Sequence, residues 1–266
     1  MKNHSRIAYR LAVPLAALMA LQGILGVLFR DVYRDNAFVR SAWHGNDIVT
    51  SFVAVPLLAY CLYRDRKGSG LRTRVCWLGI LAYAAYNYAF YLFGGAFNSF
   101  FLIFVALFTL SAYGLFLGLA NLDVNEVSRI FPNSASAKGV SIYMAFWGVA
   151  LGALWIGQSL HYVFSGQLPG MVTATEHPTN ITGALDLSMM VPAVLLGATL
   201  LWRQRPWGYI IALIMNIKGA LYALVLAVSS FLGAQAGIPG LGAQIPLWAV
   251  LCLASCTCCA VLLKRA

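Results

Sequence analysis

One lysine, Lys218, stands inside a long apolar stretch and is the side chain with the strongest reason to do chemistry. It lies about eleven residues, or about 16 Å of helix, from one end of the segment 207–232, which is near the middle of a bilayer. An ammonium ion at that depth costs at least ~2.5 kcal/mol, so we expect it to face the bundle interior and to have a partner. Asp186 is the first candidate partner and Asp47 the second; otherwise a bound anion takes that role, or the amine is neutral. A structural ion pair and a functional one both satisfy this requirement.

Three carboxylates and three histidines are expected near one face of the membrane. They are Asp47, Glu176, Asp186, His44, His161 and His177. These residue types serve in proton transfer and in metal binding. Their shared depth does not by itself place them in one site.

Two stripes of aromatic and polar residues recur at helical spacing, which is typical of an inward helix face. The longer stripe consists of Tyr143, Trp147, Leu151, Trp155, Gln158 and Tyr162, with His161 about one turn beyond Gln158. The shorter one consists of Tyr83, Asn87 and Tyr91. An asparagine near mid-membrane needs hydrogen-bond partners, because lipid offers none. An aromatic packing face with a bridging amide and a ligand-binding wall both remain open.

The elements that must position these residues are helices that cross a bilayer. The chain has 266 residues, of which 61% are apolar and 10% charged, and a membrane-spanning helix needs roughly 20 apolar residues. The start of the chain is basic and then apolar, and we expect it to remain as the first span. The predicted spans are 7–29, 47–63, 75–94, 99–120, 139–164, 184–202, 207–232 and 246–263. The sequence therefore predicts an all-α polytopic membrane bundle of about eight helices.

The net charge of +10 is explained by membrane topology. Fourteen of the eighteen Lys and Arg residues fall on one side if both termini are cytoplasmic. Localisation in the cell membrane follows from this pattern, and no nucleic-acid partner is predicted. The expected external loops are 31–46, 95–98, 165–183 and 233–245.

The six cysteines do not indicate a disulfide framework, because none lies in an expected external loop. The run from Cys256 to Cys259 resembles a metal or redox motif by composition. It lies inside an apolar helix, where thiols usually serve as small packing residues. We therefore expect packing there.

A shift of the chain by 139 positions aligns two segments that have matching ends. Each segment has an acid at its outer end and an aromatic residue followed by Arg-x-Arg at its inner end. The matched pairs are Asp47 with Asp186, Tyr63 with Trp202, Arg64 with Arg203, and Arg66 with Arg205. Aromatic and basic residues recur at membrane edges for interfacial reasons alone, so only the matched acids favour a duplication. The pattern predicts one membrane domain, 1–266, with parallel halves 1–122 and 139–266 that a cytoplasmic loop 123–138 joins.

These patterns favour a protein that binds a small amphipathic or anionic molecule, or protons. The protein would move this ligand through an outward-facing polar cavity. The predicted cavity residues are Asp47, Asn87, Gln158, His161, Asp186 and Lys218. The loop 165–183 is a candidate lid for such a cavity. The expected partners are the lipid bilayer and a small-molecule or lipid ligand. No residue pattern specifies a cofactor, a metal site or an oligomeric state.

Two other hypotheses remain. A membrane-embedded enzyme acting on a lipid or isoprenoid-like substrate would use Asp47 or Asp186 as general acid or base, and could hold a metal with His161 and His177. A non-catalytic membrane subunit or sensor would leave the chemistry to a partner.

Overall fold

The protein is a bundle of long helices that cross a membrane. A computed structural model describes residues 3–130 and 135–264, and this part of the chain is helical with no strand. Within it, eight helices are long and apolar enough to cross a bilayer. They are α1 (Ile7–Leu28), α2 (Ala37–Arg66), α3 (Leu71–Gly94), α4 (Phe101–Ala120), α5 (Ser136–Ser165), α6 (Ile181–Trp202), α7 (Pro206–Gln235) and α8 (Leu241–Leu263). The predicted all-α polytopic bundle is confirmed, and the chain is a multi-pass membrane protein whose helices contact lipid.

The two ends of the bundle differ in their connections. We call the end with the loops 67–70 and 203–205 the terminal face, because α1 begins there and α8 ends there. The other end, the lid face, carries the connections 29–36, 95–100, 166–180 and 236–240. A short helix of the lid face, Gly170–Thr175, is called the lid helix below.

The second helix begins earlier than the sequence predicts. Residues 37–46, expected in an external loop, form the first part of α2. The Asn36 side chain caps the helix by accepting a hydrogen bond from the backbone N–H of Val39. Trp43 and Asn46 are buried against other helices. The loop prediction was wrong because Asn46 accepts hydrogen bonds from α3 and the Trp43 indole donates to Asp35 in the preceding connection. The partners on α3 cannot be identified from the local sequence.

Helices α3 and α7 lie at the centre of the bundle and pack against each other. Helix α7 also packs against α2, α6 and α8, and α3 packs against α2 and α4. The connection between α4 and α5 includes a short helix, Val124–Ile130, that packs on α7 and α3 and buries Val127. At the periphery, α1 packs extensively along α4, whereas α5 and α8 barely touch.

Helices α2 and α6 each contain one wide π-helical turn, Thr50–Ala54 and Asp186–Met190. Each turn is followed directly by a Val-Pro pair, which includes Pro56 in α2 and Pro192 in α6. Proline has no N–H, and its ring collides with the preceding helical turn. A widened turn relieves this conflict and keeps the helix continuous. In α6 the widened turn begins at Asp186 itself.

Candidate functional site

A cavity of about 500 Å³ lies between α5, α6, α7 and α8. The first part of α2 and the lid helix complete its wall. Most of the lining is apolar or aromatic. The lining includes the large side chains of Trp43, Tyr143, Trp147, Trp155, Tyr222 and Trp248. A mainly apolar cavity of this size with a few polar groups is typical of a small-molecule site.

Lys218 projects from the middle of α7 into the wall of this cavity and is only 2% exposed. Its Nζ lies 3.5 Å from the ring centroid of Tyr86 and 4.4 Å from that of Tyr222. Both rings can stabilise the ammonium ion through their π faces. Among the described residues, however, the ammonium forms no ion pair and no hydrogen bond to an oxygen.

Asp186 is the carboxylate that is linked to Lys218 through a shared neighbour, Tyr86. The hydroxyl of Tyr86 donates to Oδ1 at 2.7 Å, and the indole N–H of Trp155 donates to Oδ2 at 2.9 Å. Tyr86 therefore offers its ring to Lys218 and its hydroxyl to Asp186. The direct ion pair expected from the sequence is replaced by this tyrosine, which lies between the two charges.

Two further polar atoms in the cavity wall have no hydrogen-bond partner among the described residues. These atoms are Oε1 of Gln158 and the indole Nε1 of Trp248, and both are buried. The oxygen and nitrogen of an amide can exchange places by rotation, so Gln158 offers either a donor or an acceptor. Buried polar atoms without partners are costly and are rare in folded proteins. The cavity wall therefore contains a lysine amine and two polar atoms that a bound molecule could satisfy.

Asn87 lies one layer behind the cavity wall. Its amide donates to Oδ1 of Asn46 at 2.7 Å, and the Tyr83 hydroxyl donates to the same oxygen at 3.1 Å. Asn46 is the member of this cluster that lines the cavity. The sequence predicts that Asn87 needs a hydrogen-bond partner near mid-membrane. In the structure that partner is Asn46 of α2.

Asp47 is 1% exposed and lies outside the cavity lining, on the first-half side of the bundle. Its Oδ2 accepts a hydrogen bond from Tyr33 at 2.6 Å, and its Oδ1 accepts from Gln22 and from Tyr91, each at 2.9 Å. Trp43 separates the two sites, because it stacks on Tyr91 at 4.2 Å and also lines the cavity. We call Asp47 with its three donors the Asp47 cage.

Tyr33 belongs to the connection between α1 and α2. Burial and the neighbouring charge of Asp47 raise the pKa of Tyr33 well above its ordinary value of 10. The phenol therefore stays protonated and acts as the donor to the carboxylate. Sequence reasoning missed Tyr33 because the residue stands in a loop between charged neighbours. It also missed Gln22, although a lone amide in the first apolar span was a usable signal.

The histidines do not converge on one centre. His161 is exposed and lies outside the cavity lining, in an adjoining depression that shares Leu154, Gln158 and Gly170 with the cavity. His177 is half-buried, with Nε2 3.7 Å from Oδ1 of Asp35 and its ring against Phe90. Within residues 3–130 and 135–264, no group of three or more His, Cys, Asp and Glu side chains is arranged to hold a metal.

The lid helix and the segment that follows it have polar contacts to the first half of the chain. The Asn36 side chain donates to the backbone oxygen of Ala174 at 2.9 Å. The Asp35 carboxylate lies beside His177. It accepts a hydrogen bond from the indole N–H of Trp43 at 2.8 Å and another from the backbone N–H of Ala96 at 2.9 Å. The lid-helix residues in the cavity wall are Gly170, Met171 and Thr175.

Sequence reasoning also missed Tyr86, which contacts both charges of the site. It is adjacent to the stripe of Tyr83, Asn87 and Tyr91, but it projects from α3 toward α7 and α6. Only the packing of α3 against α7 reveals its role.

Compared with protein-family models, with curated proteins and with solved structures, the chain matches none of them. The function is therefore argued from the site.

Proposed function

We propose that the protein binds a small amphipathic molecule with an anionic head group in this cavity and carries it across the membrane. The observation that supports this proposal is Lys218, a buried cation in the cavity wall with two aromatic contacts and no oxygen acceptor among the described residues.

An energetic comparison supports an anionic ligand. A lysine at the bilayer centre costs at least ~2.5 kcal/mol. A cation–π contact in a desolvated site returns about 2 kcal/mol, and it leaves the N–H groups of the ammonium without acceptors. A carboxylate or phosphate oxygen from a ligand would provide charge-assisted hydrogen bonds worth about 1.5–3 kcal/mol each. The apolar and aromatic wall would hold the rest of the molecule.

The surroundings of the cavity favour transport over permanent binding. The lid helix and His177 beyond it have polar contacts to the first half of the chain, and these can break and re-form in water. The widened turn of α6 begins at the cavity-lining Asp186. In membrane transporters, binding sites near mid-membrane often lie at irregular helix turns of this kind.

We propose that both termini are cytoplasmic, so that the lid face is external and the protein lies in the cell membrane. The distribution of Lys and Arg supports this orientation, because cytoplasmic loops carry an excess of positive charge.

We also propose that the two halves of the chain are related by an axis along the membrane normal. Three features support this relation. Helices α2 and α6 both have a widened turn followed by Val-Pro, α3 and α7 pack together at the centre, and each packs on the helix that follows it. Asp47 lies three residues, or about one turn, before the widened turn of α2, whereas Asp186 begins the widened turn of α6. If the two helices are aligned by these turns, the two acids occupy neighbouring heights.

The alternative of a membrane-embedded enzyme has less support from the geometry. The two proposed acid–base residues lie in different environments, because Asp47 is enclosed by its cage and Asp186 lines the cavity. Both oxygens of Asp186 already accept a hydrogen bond. A sensor would use the same binding site, and it differs from a transporter only in whether the ligand crosses the membrane.

A binding experiment with two probes of opposite charge tests the proposal. Dodecanoate and dodecyltrimethylammonium share a chain length and differ in head group. Their binding is measured by native mass spectrometry on protein in phosphatidylcholine nanodiscs, with empty nanodiscs as the blank. We expect the wild type to bind dodecanoate more tightly, and Lys218→Met to lose about 10- to 100-fold, the equivalent of one charge-assisted hydrogen bond.

Lys218→Arg is the matched control, because it keeps the positive charge and is expected to retain most of the affinity. A monodisperse elution profile and an unchanged helical circular dichroism spectrum would show that each variant is folded. Equal dodecanoate affinity in the wild type and in folded Lys218→Met would contradict the proposal. Uptake of dodecanoate into proteoliposomes then separates a transporter from a sensor.

A further inference from the structure

Helices α5 and α8 leave the cavity open toward the lipid, and we infer that the ligand is a single-chain anionic amphiphile that reaches Lys218 sideways from the bilayer. This inference rests on the proposed function and specifies the ligand class and its route. Its observations are the separation of α5 from α8, the side chains at the edge of the gap, and the volume of the cavity.

The two helices meet at one point. The Tyr143 hydroxyl lies 3.0 Å from Oγ of Ser255 and 3.5 Å from the backbone oxygen of Leu251. Few other residues of α5 and α8 approach one another, whereas α1 and α4 pack along their length. On the lid-face side of this contact the cavity lies between the two helices. We therefore describe α5 and α8 as the arms of a V whose point is the Tyr143–Ser255 contact. The space between its arms is called the lateral gap below.

Lys218 lies near the point of the V. A Cβ atom added to the next residue, Gly219, would be 3.3 Å from Oγ of Ser255. The ammonium is therefore close to the height at which α5 and α8 meet. A head group bound there would place its chain in the widening space above it.

Two residues mark the edge of the lateral gap. Leu154 of α5 lines the cavity and is nevertheless 51% exposed, and Gln244 of α8 also lines the cavity and is exposed. Each lies eleven residues from the contact at the point of the V, which is about 16 Å of helix in both cases. They consequently stand at the same height on opposite sides of the gap, between the cavity and the surrounding lipid.

The cavity volume matches a ligand with one chain. At about 30 Å³ for each water-sized group, a cavity of about 500 Å³ holds on the order of 15–20 non-hydrogen atoms. A carboxylate with an alkyl chain of roughly a dozen carbons fits this space, and a two-chain phospholipid does not. Such an amphiphile partitions into the bilayer, where about 0.8 kcal/mol per buried CH₂ holds it. Access from the lipid then avoids transferring the chain through water.

Photolabelling locates the chain. The probe is a dodecanoate analogue with a diazirine near its methyl end, incorporated into phosphatidylcholine proteoliposomes and activated by light. We expect labels on the sides of α5 and α8 that face the gap, at Leu151, Leu154, Trp248 or Leu251. Lys218→Met should reduce these labels about tenfold or more.

Tryptophan substitutions at the edge of the gap test the route. Leu154→Trp and Gln244→Trp narrow the gap without changing Lys218. Val250→Trp is the matched control, because Val250 is a lipid-exposed residue of α8 outside the cavity lining. We expect the rate of labelling after probe addition to fall several-fold in both gap variants and to stay unchanged in the control. The final extent of labelling should be similar in folded protein.

The possible results separate the two proposals. Labelling that depends on Lys218 but falls on the lid helix, at a rate that the gap variants do not change, would overturn the lateral route and leave the proposed function intact. Labelling between α5 and α8 that is the same in wild type and Lys218→Met would overturn the anionic site itself. Lys218-dependent labelling in the gap, slowed by Leu154→Trp and Gln244→Trp, supports both.

Discussion

Replacement of Tyr33 by phenylalanine tests whether Asp47 is a charged structural anchor. The change removes one oxygen atom and leaves Oδ2 of Asp47 without its donor. The O–H···O distance of 2.6 Å lies in the range of charge-assisted hydrogen bonds, which contribute about 1.5–3 kcal/mol. We expect Tyr33→Phe to lower the free energy of unfolding by about 2 kcal/mol on this basis.

Tyr88→Phe is the matched control from the same cluster. It also removes one buried hydroxyl, but this hydroxyl donates to the neutral amide oxygen of Gln22 at 3.1 Å. Hydrogen bonds between membrane helices average about 0.6 kcal/mol, so the control should cost roughly a third as much as Tyr33→Phe. Unfolding in mixed micelles with increasing dodecyl sulfate, followed by circular dichroism, gives both values. Equal losses in the two variants would refute the charged anchor. Because the cage lies outside the cavity, neither variant should change dodecanoate affinity.

Three other predictions follow from the fold. In a cysteine-free background, Gly166→Cys and Ala236→Cys should react with a membrane-impermeant maleimide in sealed cells, and protection of both until permeabilisation would mean that the orientation is inverted. Asp186→Asn should destabilise the protein because it leaves Lys218 without its counter-charge. Adding Lys218→Met should recover stability in the unfolding assay. A double variant less stable than Asp186→Asn would contradict this coupling. Asp35→Asn should weaken the contacts beside the lid helix and speed maleimide labelling of Gly166→Cys, and an unchanged rate would show that Asp35 does not hold the lid.

The spans could be predicted from the sequence because their signal is local. Apolar length alone determines where a helix can cross a bilayer, and all eight expected spans appear with boundaries shifted by a few residues. The largest error is at residues 37–46, where polar side chains suggested a loop. Their partners are on α3 and in the connection before α2, so only the assembled bundle shows that this segment is buried helix.

The candidate site was predictable in part for the same reason. A lysine at mid-membrane indicates an interior polar site from its cost alone, and Lys218, Asp186 and Gln158 do line one cavity. The sequence could not reveal that Tyr86 stands between the lysine and the acid. It also could not show that Asp47 is enclosed in a cage of its own, because these facts depend on how α3 packs against α2, α6 and α7.

The most direct test of the central claim is an experimental structure of the wild-type protein with dodecanoate in a phosphatidylcholine nanodisc. The account predicts density for a carboxylate about 3 Å from Nζ of Lys218, beside the Tyr86 and Tyr222 rings, with the chain running between α5 and α8. A cavity without ligand density at saturating dodecanoate, or a carboxylate bound away from Lys218, would contradict it.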